Sequence, residues 1–245
     1  MLLILRLNWP MYAKASCFAG LLIFGASQFD GAARAAMLLA VGLTLFWSAA
    51  SLGTSWWIYD RARLYDLRWL ERDPGDWLNL HNGLDEMDAA LRGRYAESES
   101  CVTYDIFDAA EMTEPSIREV RRRMHSARDA RANWRALPAA NQTFDTVFIV
   151  FTAHELRRAE ARERLFLEVQ RVLRDSGRVV LVEHLRDLNN FAAFGPGAFH
   201  FLSRRAWLEA AHPAGLVLKS EARMTPFVHA FVFGKRVAEG AGRAL

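Results

Sequence analysis

Polar side chains with acid–base chemistry stand directly after apolar segments in the second half of the chain. His154 and Glu155 follow the strongly apolar run 144–151, and Glu183 and His184 end the next such run. Histidine titrates near neutral pH, and a neighbouring carboxylate can hold its tautomer or accept a proton itself. The residue types and their positions therefore make His154, Glu155 and His184 candidate catalytic bases.

These residues also have a structural interpretation. His154 could cap the helix predicted to follow it, because polar side chains commonly satisfy the first amide groups of a helix. Glu183 could form a salt bridge to Arg186 or a hydrogen bond that fixes its loop. The sequence alone does not choose between the catalytic and the structural role, so both interpretations stay open.

The elements that must position these residues alternate between strands and helices after residue 75. The predicted strands are 77–81, 101–104, 144–151 and 178–183, the helices are 85–94, 117–125, 160–173 and 204–211, and 216–221 with 226–234 form an antiparallel pair. Such alternation is typical of an α/β fold with a parallel sheet and helices on both faces. Right-handed crossovers bring the carboxyl ends of the strands to one edge, where ligands bind. The candidate residues are therefore predicted to share that edge.

A basic run lies in the predicted helix after the second strand, and it comprises Arg118, Arg121, Arg122 and Arg123. The run is typical of a solvated helix face, with anionic lipid head groups as the alternative partner. The net charge of the chain is only +3, so binding to nucleic acid is not predicted. The sequence contains no CxxC or HExxH spacing, so no metal site is predicted.

The first sixty residues differ from the rest because two apolar runs, about 13–29 and 35–59, are separated only by a short polar turn. A helix needs about 20 apolar residues to cross a bilayer. We therefore predict a transmembrane helical hairpin over residues 1–60, a juxtamembrane linker over 61–75 and a catalytic domain over 76–245. A cleaved signal peptide and a buried hairpin in a soluble protein are the alternatives.

The orientation of this hairpin follows from the basic residues in its short flanks. Arg6 and Lys14 precede or begin the first run, and Arg61, Arg63 and Arg68 follow the second. Basic flanks stay on the cytoplasmic side of a membrane. The prediction is a multi-pass protein of the inner membrane with both chain ends and the catalytic domain in the cytoplasm.

The motifs of the α/β region resemble those of class I S-adenosylmethionine-dependent methyltransferases, particularly the quinone-biosynthesis type, over about residues 76–235. The most specific stretches are FDTVFIVFTAHELRR (144–158) and ERLFLEVQRVLRDSGRVVLVEHLRD (163–187). Segments 183–201 and 55–70 resemble those of a smaller, membrane-anchored subgroup. The resemblance implies a Rossmann-like methyltransferase sheet with flanking helices, and S-adenosyl-L-methionine as the cofactor.

The resemblance also implies where the cofactor would lie against the first strand. The glycine motif of the family follows that strand, and here the stretch reads NLHNGLD (79–85). Gly83 is the retained glycine, and glycine allows a ligand to approach the backbone closely. His81 and Asp85 stand at the other two glycine positions, and Asn79 replaces the family's acid. The implied contacts with the cofactor are Asn79, His81, Gly83 and Asp85.

Three further residues are implied to bind the nucleoside part of the cofactor. Asp105 matches the acid after the second strand that accepts both ribose hydroxyls, with Asp108 as an alternate. Asn133 stands where the family often has an acid near the adenine amine, and Trp134 could pack on the adenine ring. The third strand, expected just before Asn133, is poorly marked because residues 127–132 are strongly charged.

The predicted function is that of a membrane-anchored methyltransferase acting on a small, apolar or lipid-like acceptor, with the membrane as its partner. The apolar loop Phe194–Phe201 could cover such a substrate, dock against the membrane or pack on the sheet. A non-catalytic, membrane-tethered binding or scaffold protein that kept the fold is the alternative. A related enzyme with a different cofactor or reaction is a third possibility, because fold alone does not determine chemistry.

Overall fold

A computed structural model describes residues 2–70, 72–83, 87–95, 100–124 and 130–236. The helices are α1 (Leu2–Ala26), α2 (Gly31–Trp56), α3 (Met87–Arg94), α4 (Pro115–Met124), α5 (Ala159–Val172), α6 (Leu188–Phe194) and α7 (Arg204–Ala211). The strands are β1 (Trp77–His81), β2 (Val102–Asp105), β3 (Ala130–Arg131), β4 (Phe144–Val150), β5 (Leu173–His184), β6 (Leu216–Thr225) and β7 (Val228–Lys235).

The internal contacts divide the chain into two units. A helical unit comprises residues 1–64 and 186–201, and a sheet unit comprises residues 65–185 and the chain from 202 onward. The predicted catalytic domain was continuous from residue 76, whereas the contacts assign 186–201 to the helical unit. Apolar side chains cause this difference, because residues of that segment pack on α2.

The helical unit is built on α1 and α2, which pack against each other and are joined by residues 27–30. Helix α1 begins well before the predicted residue 13, since Leu, Met and Arg near its start are good helix formers. Many large apolar side chains on both helices are exposed, including Leu39 at 65%. Among the described residues, one helical stretch, Gly31–Asp66, is long and apolar enough to cross a membrane.

The sheet unit has a seven-stranded sheet in the order β3-β2-β1-β4-β5-β7-β6. Strands β1 to β5 run parallel, and β7 pairs antiparallel with both β5 and β6. All five residues of β1 are buried, and the apolar faces of α5 and α7 contribute to one core with β4 and β5. The predicted α/β class with a parallel sheet and flanking helices is confirmed.

Two strands differ from their predicted bounds. Strand β5 begins at Leu173 because Leu173 pairs with Phe144 directly after α5, so the turn predicted at 175–177 lies inside the strand beside a bulge. Strand β3 has only two residues, which pair with Tyr104 and Asp105. A strand this short has no periodicity of its own, and for that reason it is hard to recognise in the sequence.

Candidate functional site

The strand order reverses between β1 and β4, and the carboxyl ends of these strands form the place where open α/β sheets bind ligands. His81 and Asp105 are the last residues of β1 and β2 and pair in register. His154 lies in a short helical turn after β4, and His184 ends β5. The sheet therefore brings the predicted residues to its carboxyl edge, as expected from the alternating pattern.

A buried cluster forms around His154. Its Nδ1 lies 2.8 Å from Oε2 of Glu183, and its Nε2 lies 3.1 Å from Oε1 of Glu155. The backbone amide of His154 also donates to Glu183 (3.2 Å). Both carboxylates are buried. His154 does not cap α5, whose N-terminal cap position is Arg158, so the structural alternative for His154 is an ion pair rather than a helix cap.

The two carboxylates decide the charge of this histidine. Burial by itself lowers the pKa of His154, but attraction to Glu183 and hydrogen bonds to both glutamates outweigh it and raise the pKa to about 10. At neutral pH the ring is therefore an imidazolium with no lone pair that could accept a proton. The predicted role of His154 as a base stays a prediction, and this geometry favours an electrostatic role in which it offsets part of the negative charge of Glu155 and Glu183.

His184 has a different environment. Its Nδ1 lies 3.0 Å from the carbonyl oxygen of Phe227, and a carbonyl can only accept, so Nδ1 carries a hydrogen. In the neutral ring, Nε2 then holds the lone pair. The ring stacks on Phe151 at 5.1 Å, and Phe151 itself has a φ of 48°, which is rare outside glycine. Among the predicted bases, His184 has its tautomer set by a backbone carbonyl and not by a carboxylate.

Asp105, the predicted ribose acceptor, forms a buried ion pair with Arg121 of α4. Nη2 of Arg121 lies 2.7 Å from Oδ2 of Asp105, and Nη1 donates to Oδ1 at 2.9 Å. Burial raises the pKa of Asp105, but the Arg121 guanidinium and the amide of Phe107 hold it below its usual value. Both carboxylate oxygens that would accept a diol are therefore already engaged.

Arg121 was not among the predicted site residues. The basic run suggested a solvated face or lipid contact, and for Arg121 both interpretations are wrong because its side chain is nearly buried. Its guanidinium also donates to the carbonyl of Asn82 (3.2 Å) and lies 4.2 Å from the ring centre of Phe107. The sequence contains no indication of this role, because Arg121 looks the same as its neighbours in the run.

The turn after β1 contains the retained glycine. Gly83 has a φ of 125°, and a Cβ added there would lie 2.8 Å from Cγ of Arg121. The Gly83 amide donates to Nδ1 of His81 at 3.1 Å, so His81 holds the turn. Asn79 is buried in the middle of β1, between Thr103 and Phe148 of the adjacent strands. The prediction for Asp85 lies outside the described residues.

The predicted adenine contacts are engaged elsewhere. Trp134 is buried in the core, its indole N–H donates to Asp108 (3.2 Å), and the guanidinium of Arg135 lies 3.9 Å from its ring centre. Asn133 accepts a hydrogen bond from the amide of Arg135. A hydrogen bond from Arg135 lowers the pKa of Asp108. Packing of Trp134 on an adenine stays a prediction that would require Arg135 to move.

The chemistry of this edge fits a cofactor with a ribose diol only in part. Asp105 has the acceptor pair that a diol needs, and Gly83 leaves space beside the backbone. That space is filled by the side chain of Arg121, which contacts both residues. A nucleoside could bind Asp105 only after the guanidinium turns away.

Comparison with known proteins agrees with this fold. Residues 89–181, from α3 to β5, match the methyltransferase domain family. The structure is similar to that of a protein from Pyrococcus horikoshii OT3 (18% identity, 72% of this chain and 91% of that chain, TM-score 0.53). It is also similar to a protein of Sulfolobus solfataricus assigned to the type 11 methyltransferases (15% identity, 74% and 95%, TM-score 0.50). No curated protein matches the chain.

These findings bear on the fold and on the cofactor. The matched segment contains Asp105, Arg121 and His154 and stops shortly before Glu183. The low identities of the two structures establish a common fold and no more. The family match supports S-adenosylmethionine as the cofactor.

Proposed function

We propose that this protein is an S-adenosylmethionine-dependent methyltransferase, anchored in the inner membrane by α1 and α2, that acts on a small apolar or lipid-like acceptor. The observation that carries the proposal is the methyltransferase match over residues 89–181, together with a carboxylate, Asp105, at the end of β2. A family match together with an acceptor suited to a diol argues more for the reaction than either alone.

In this proposal each residue at the carboxyl edge of the sheet has a separate role in binding or catalysis. Once the Arg121 side chain has turned away, Asp105 accepts the ribose hydroxyls and the Gly83 turn admits the cofactor next to the backbone. When bound, the cofactor supplies the methyl group. His184 is the proposed base, with its Nδ1 held by the carbonyl of Phe227, while His154 offsets part of the negative charge of Glu155 and Glu183. Buried ion pairs of this kind fix side chains in position before a substrate arrives.

Replacing Asp105 by asparagine should weaken binding of S-adenosylhomocysteine by about 1–3 kcal/mol, because the ribose hydroxyls then lose a charged hydrogen-bond acceptor. The measurement is calorimetric titration of the detergent-purified protein, with circular dichroism to verify folding. Asp108→Asn is the matched control, since Asp108 also follows β2 and pairs with an arginine. If Asp108→Asn loses affinity and Asp105→Asn does not, the ribose contact belongs to Asp108.

The anchor rests on the exposed surface of the helical unit. A soluble surface rarely presents a large continuous apolar area, yet both faces of this helical pair expose leucine, isoleucine and phenylalanine side chains. One of the two helices meets the length and composition needed for a bilayer span. An enzyme held at a bilayer meets apolar molecules at high local concentration, and this argues for a lipid-like acceptor.

The proposed topology predicts the side on which each loop lies. A reporter enzyme fused after Leu245 should be active in the cytoplasm, and the same reporter inserted at Asp30 should be active on the opposite side. The turn at Asp30 is the matched position, because its side chain is almost fully exposed between α1 and α2. A cytoplasmic signal from both positions would contradict a two-span anchor.

A second function is favoured by one observation, the ion pair that engages both oxygens of Asp105. A protein that keeps the fold but does not catalyse methyl transfer does not bind the cofactor, so its Asp105 can stay paired with Arg121. Under this alternative the chain is a membrane-tethered binding protein. It predicts that S-adenosylhomocysteine binds neither to the natural sequence nor to Arg121→Ala, whereas the enzyme predicts binding to both proteins, with the higher affinity for the variant.

A further inference from the structure

Segment 186–201 leaves the sheet directly after β5 and belongs to the helical unit. It contains α6 and a 3-10 helical turn, Gly195–His200. No lysine, arginine, aspartate or glutamate occurs in the sixteen residues between Asp187 and Arg204. Surface loops of soluble proteins rarely lack charge over such a length, so the composition points to an apolar environment.

The segment packs on α2 through aromatic contacts. The rings of Phe191 and Trp47 lie 5.9 Å apart in an edge-to-face arrangement. Gly195, with a φ of 56°, approaches so closely that a Cβ there would lie 2.6 Å from Cδ2 of Trp47. The contact is therefore built into the backbone and does not rest on one flexible side chain.

Large apolar side chains are also exposed on the segment after its first residue, Arg186, which is itself exposed. Leu188 is 86% exposed and Phe199 is 61% exposed, and Phe199 packs edge-to-face on Phe191 at 6.0 Å. The carboxylate of Asp187, near the start of the segment, accepts hydrogen bonds from the backbone and the side chain of Asn190, so its partners lie within the segment. After Asp187 the segment therefore presents large apolar side chains on its exposed surface as well as toward α2.

The position of Trp47 along α2 indicates what covers this surface. Arg34 is the last charged residue before the apolar run of α2, and a hydrocarbon core of about 30 Å takes about 20 helical residues from there. Trp47 then lies within the cytoplasmic half of the core. A segment fixed against Trp47 must lie at the same depth as Trp47.

We infer that segment 186–201 inserts into the cytoplasmic leaflet beside α2, with Leu188 and Phe199 in contact with lipid. The inference rests on the proposed membrane crossing of α2. It adds a third lipid-contacting element that is distant in sequence from the anchor. Because the segment begins two residues after His184, the chain leads from the candidate proton acceptor into the bilayer. This continuity favours an acceptor that is itself dissolved in the lipid.

Spin labels can measure this contact in the full chain. Nitroxides are attached to Leu188→Cys and Phe199→Cys in a Cys17→Ser, Cys101→Ala background and reconstituted in phosphatidylethanolamine–phosphatidylglycerol vesicles. Relaxation by oxygen reports lipid, and relaxation by a water-soluble nickel chelate reports solvent. Leu39→Cys on α2 is the lipid control, and Arg205→Cys, 85% exposed on α7, is the solvent control.

We expect both labels in the segment to match Leu39→Cys, with oxygen relaxation several-fold above that of Arg205→Cys. If they match Arg205→Cys while Leu39→Cys reports lipid, the insertion is wrong and the anchor stands. If Leu39→Cys also reports solvent, the anchor and the insertion both fail. Spin–spin broadening that disappears on dilution with unlabelled protein would show that a second copy covers the segment, and this too would overturn the insertion.

Discussion

Replacing Arg121 by alanine is expected to tighten the binding of S-adenosylhomocysteine by about 10- to 100-fold. In the natural sequence, the ribose must displace a guanidinium that donates to Oδ1 of Asp105 and lies 2.7 Å from its Oδ2. A charge-assisted pair of this kind contributes about 1.5–3 kcal/mol, and about 1.4 kcal/mol corresponds to a tenfold change in affinity. Without the guanidinium, that part of the binding free energy is no longer opposed.

The measurement is calorimetric titration of both proteins under identical detergent and salt conditions. Arg122→Ala is the matched control, because Arg122 is the next residue of α4 and its side chain is 77% exposed. The variant without ligand should be less stable, since Asp105 stays buried without its cation. Arg121→Met keeps the aliphatic stem and should show the same tighter binding. Equal or weaker affinity in both variants would show that Arg121 does not compete with the ligand.

Replacing His154 by glutamine is expected to lower the free energy of unfolding of the sheet unit by about 3–5 kcal/mol near pH 6. The change removes a buried cation and leaves Glu155 and Glu183 facing each other without compensation. The measurement is urea unfolding in detergent, followed by tryptophan fluorescence. His212→Gln is the control, because His212 is exposed at the end of α7.

The size of this effect should depend on pH in one direction. The pKa of His154 is about 10 in the folded protein and about 6.5 in an unfolded chain, so the folded state holds the proton more tightly. The stabilisation is complete below pH 6.5 and is lost as pH rises through about 10. The difference in unfolding free energy between the natural protein and His154→Gln should therefore shrink from pH 6 to pH 10. A difference that stays constant over this range would contradict the ion-pair interpretation.

The effects predicted for replacing Arg121 and for replacing His154 have a common physical origin. Each group is a cation held against buried carboxylates at the carboxyl edge of the sheet, His154 with two glutamates and Arg121 with Asp105. Burying an unpaired charge costs free energy, so a carboxylate is buried at this edge only where a cation or a ligand pairs with it.

The α/β class and the positions of the central strands could be predicted because each central strand carries its own pattern, whereas the spatial order of the strands came only from the structure. The runs that became β4 and β5 are apolar on both faces, as buried parallel strands must be, and the polar residues that follow them mark the strand ends. The placement of Asp105, His154 and His184 at one edge followed from the parallel direction of the strands that they end or follow. Strand β3 was poorly marked because two residues are too few to show a period.

The partner of each charged residue was decided by the tertiary structure. Arg121 belongs to a run of similar arginines, and only the packing of α4 selects which of them reaches Asp105, sixteen residues earlier in the chain. In the same way, His154 lies beside Glu155 in sequence. Burial lowers its pKa, and the strongest opposing influence is Glu183, which the pairing of β4 with β5 brings to it. Charge–charge energies depend on distance and burial, and neither can be read from the order of residues.

Sequence by itself determined the two classes of segment in this protein, apolar helices at the start and alternating strands and helices after them, since period and composition are local properties. It also identified most of the residues at the strand ends. Only the tertiary structure decided that Arg121 engages Asp105, that His154 is a cation, and that residues 186–201 pack on α2 through Trp47. These are contacts between residues far apart in the chain, and their free energies arise only when folding brings the groups together and removes water.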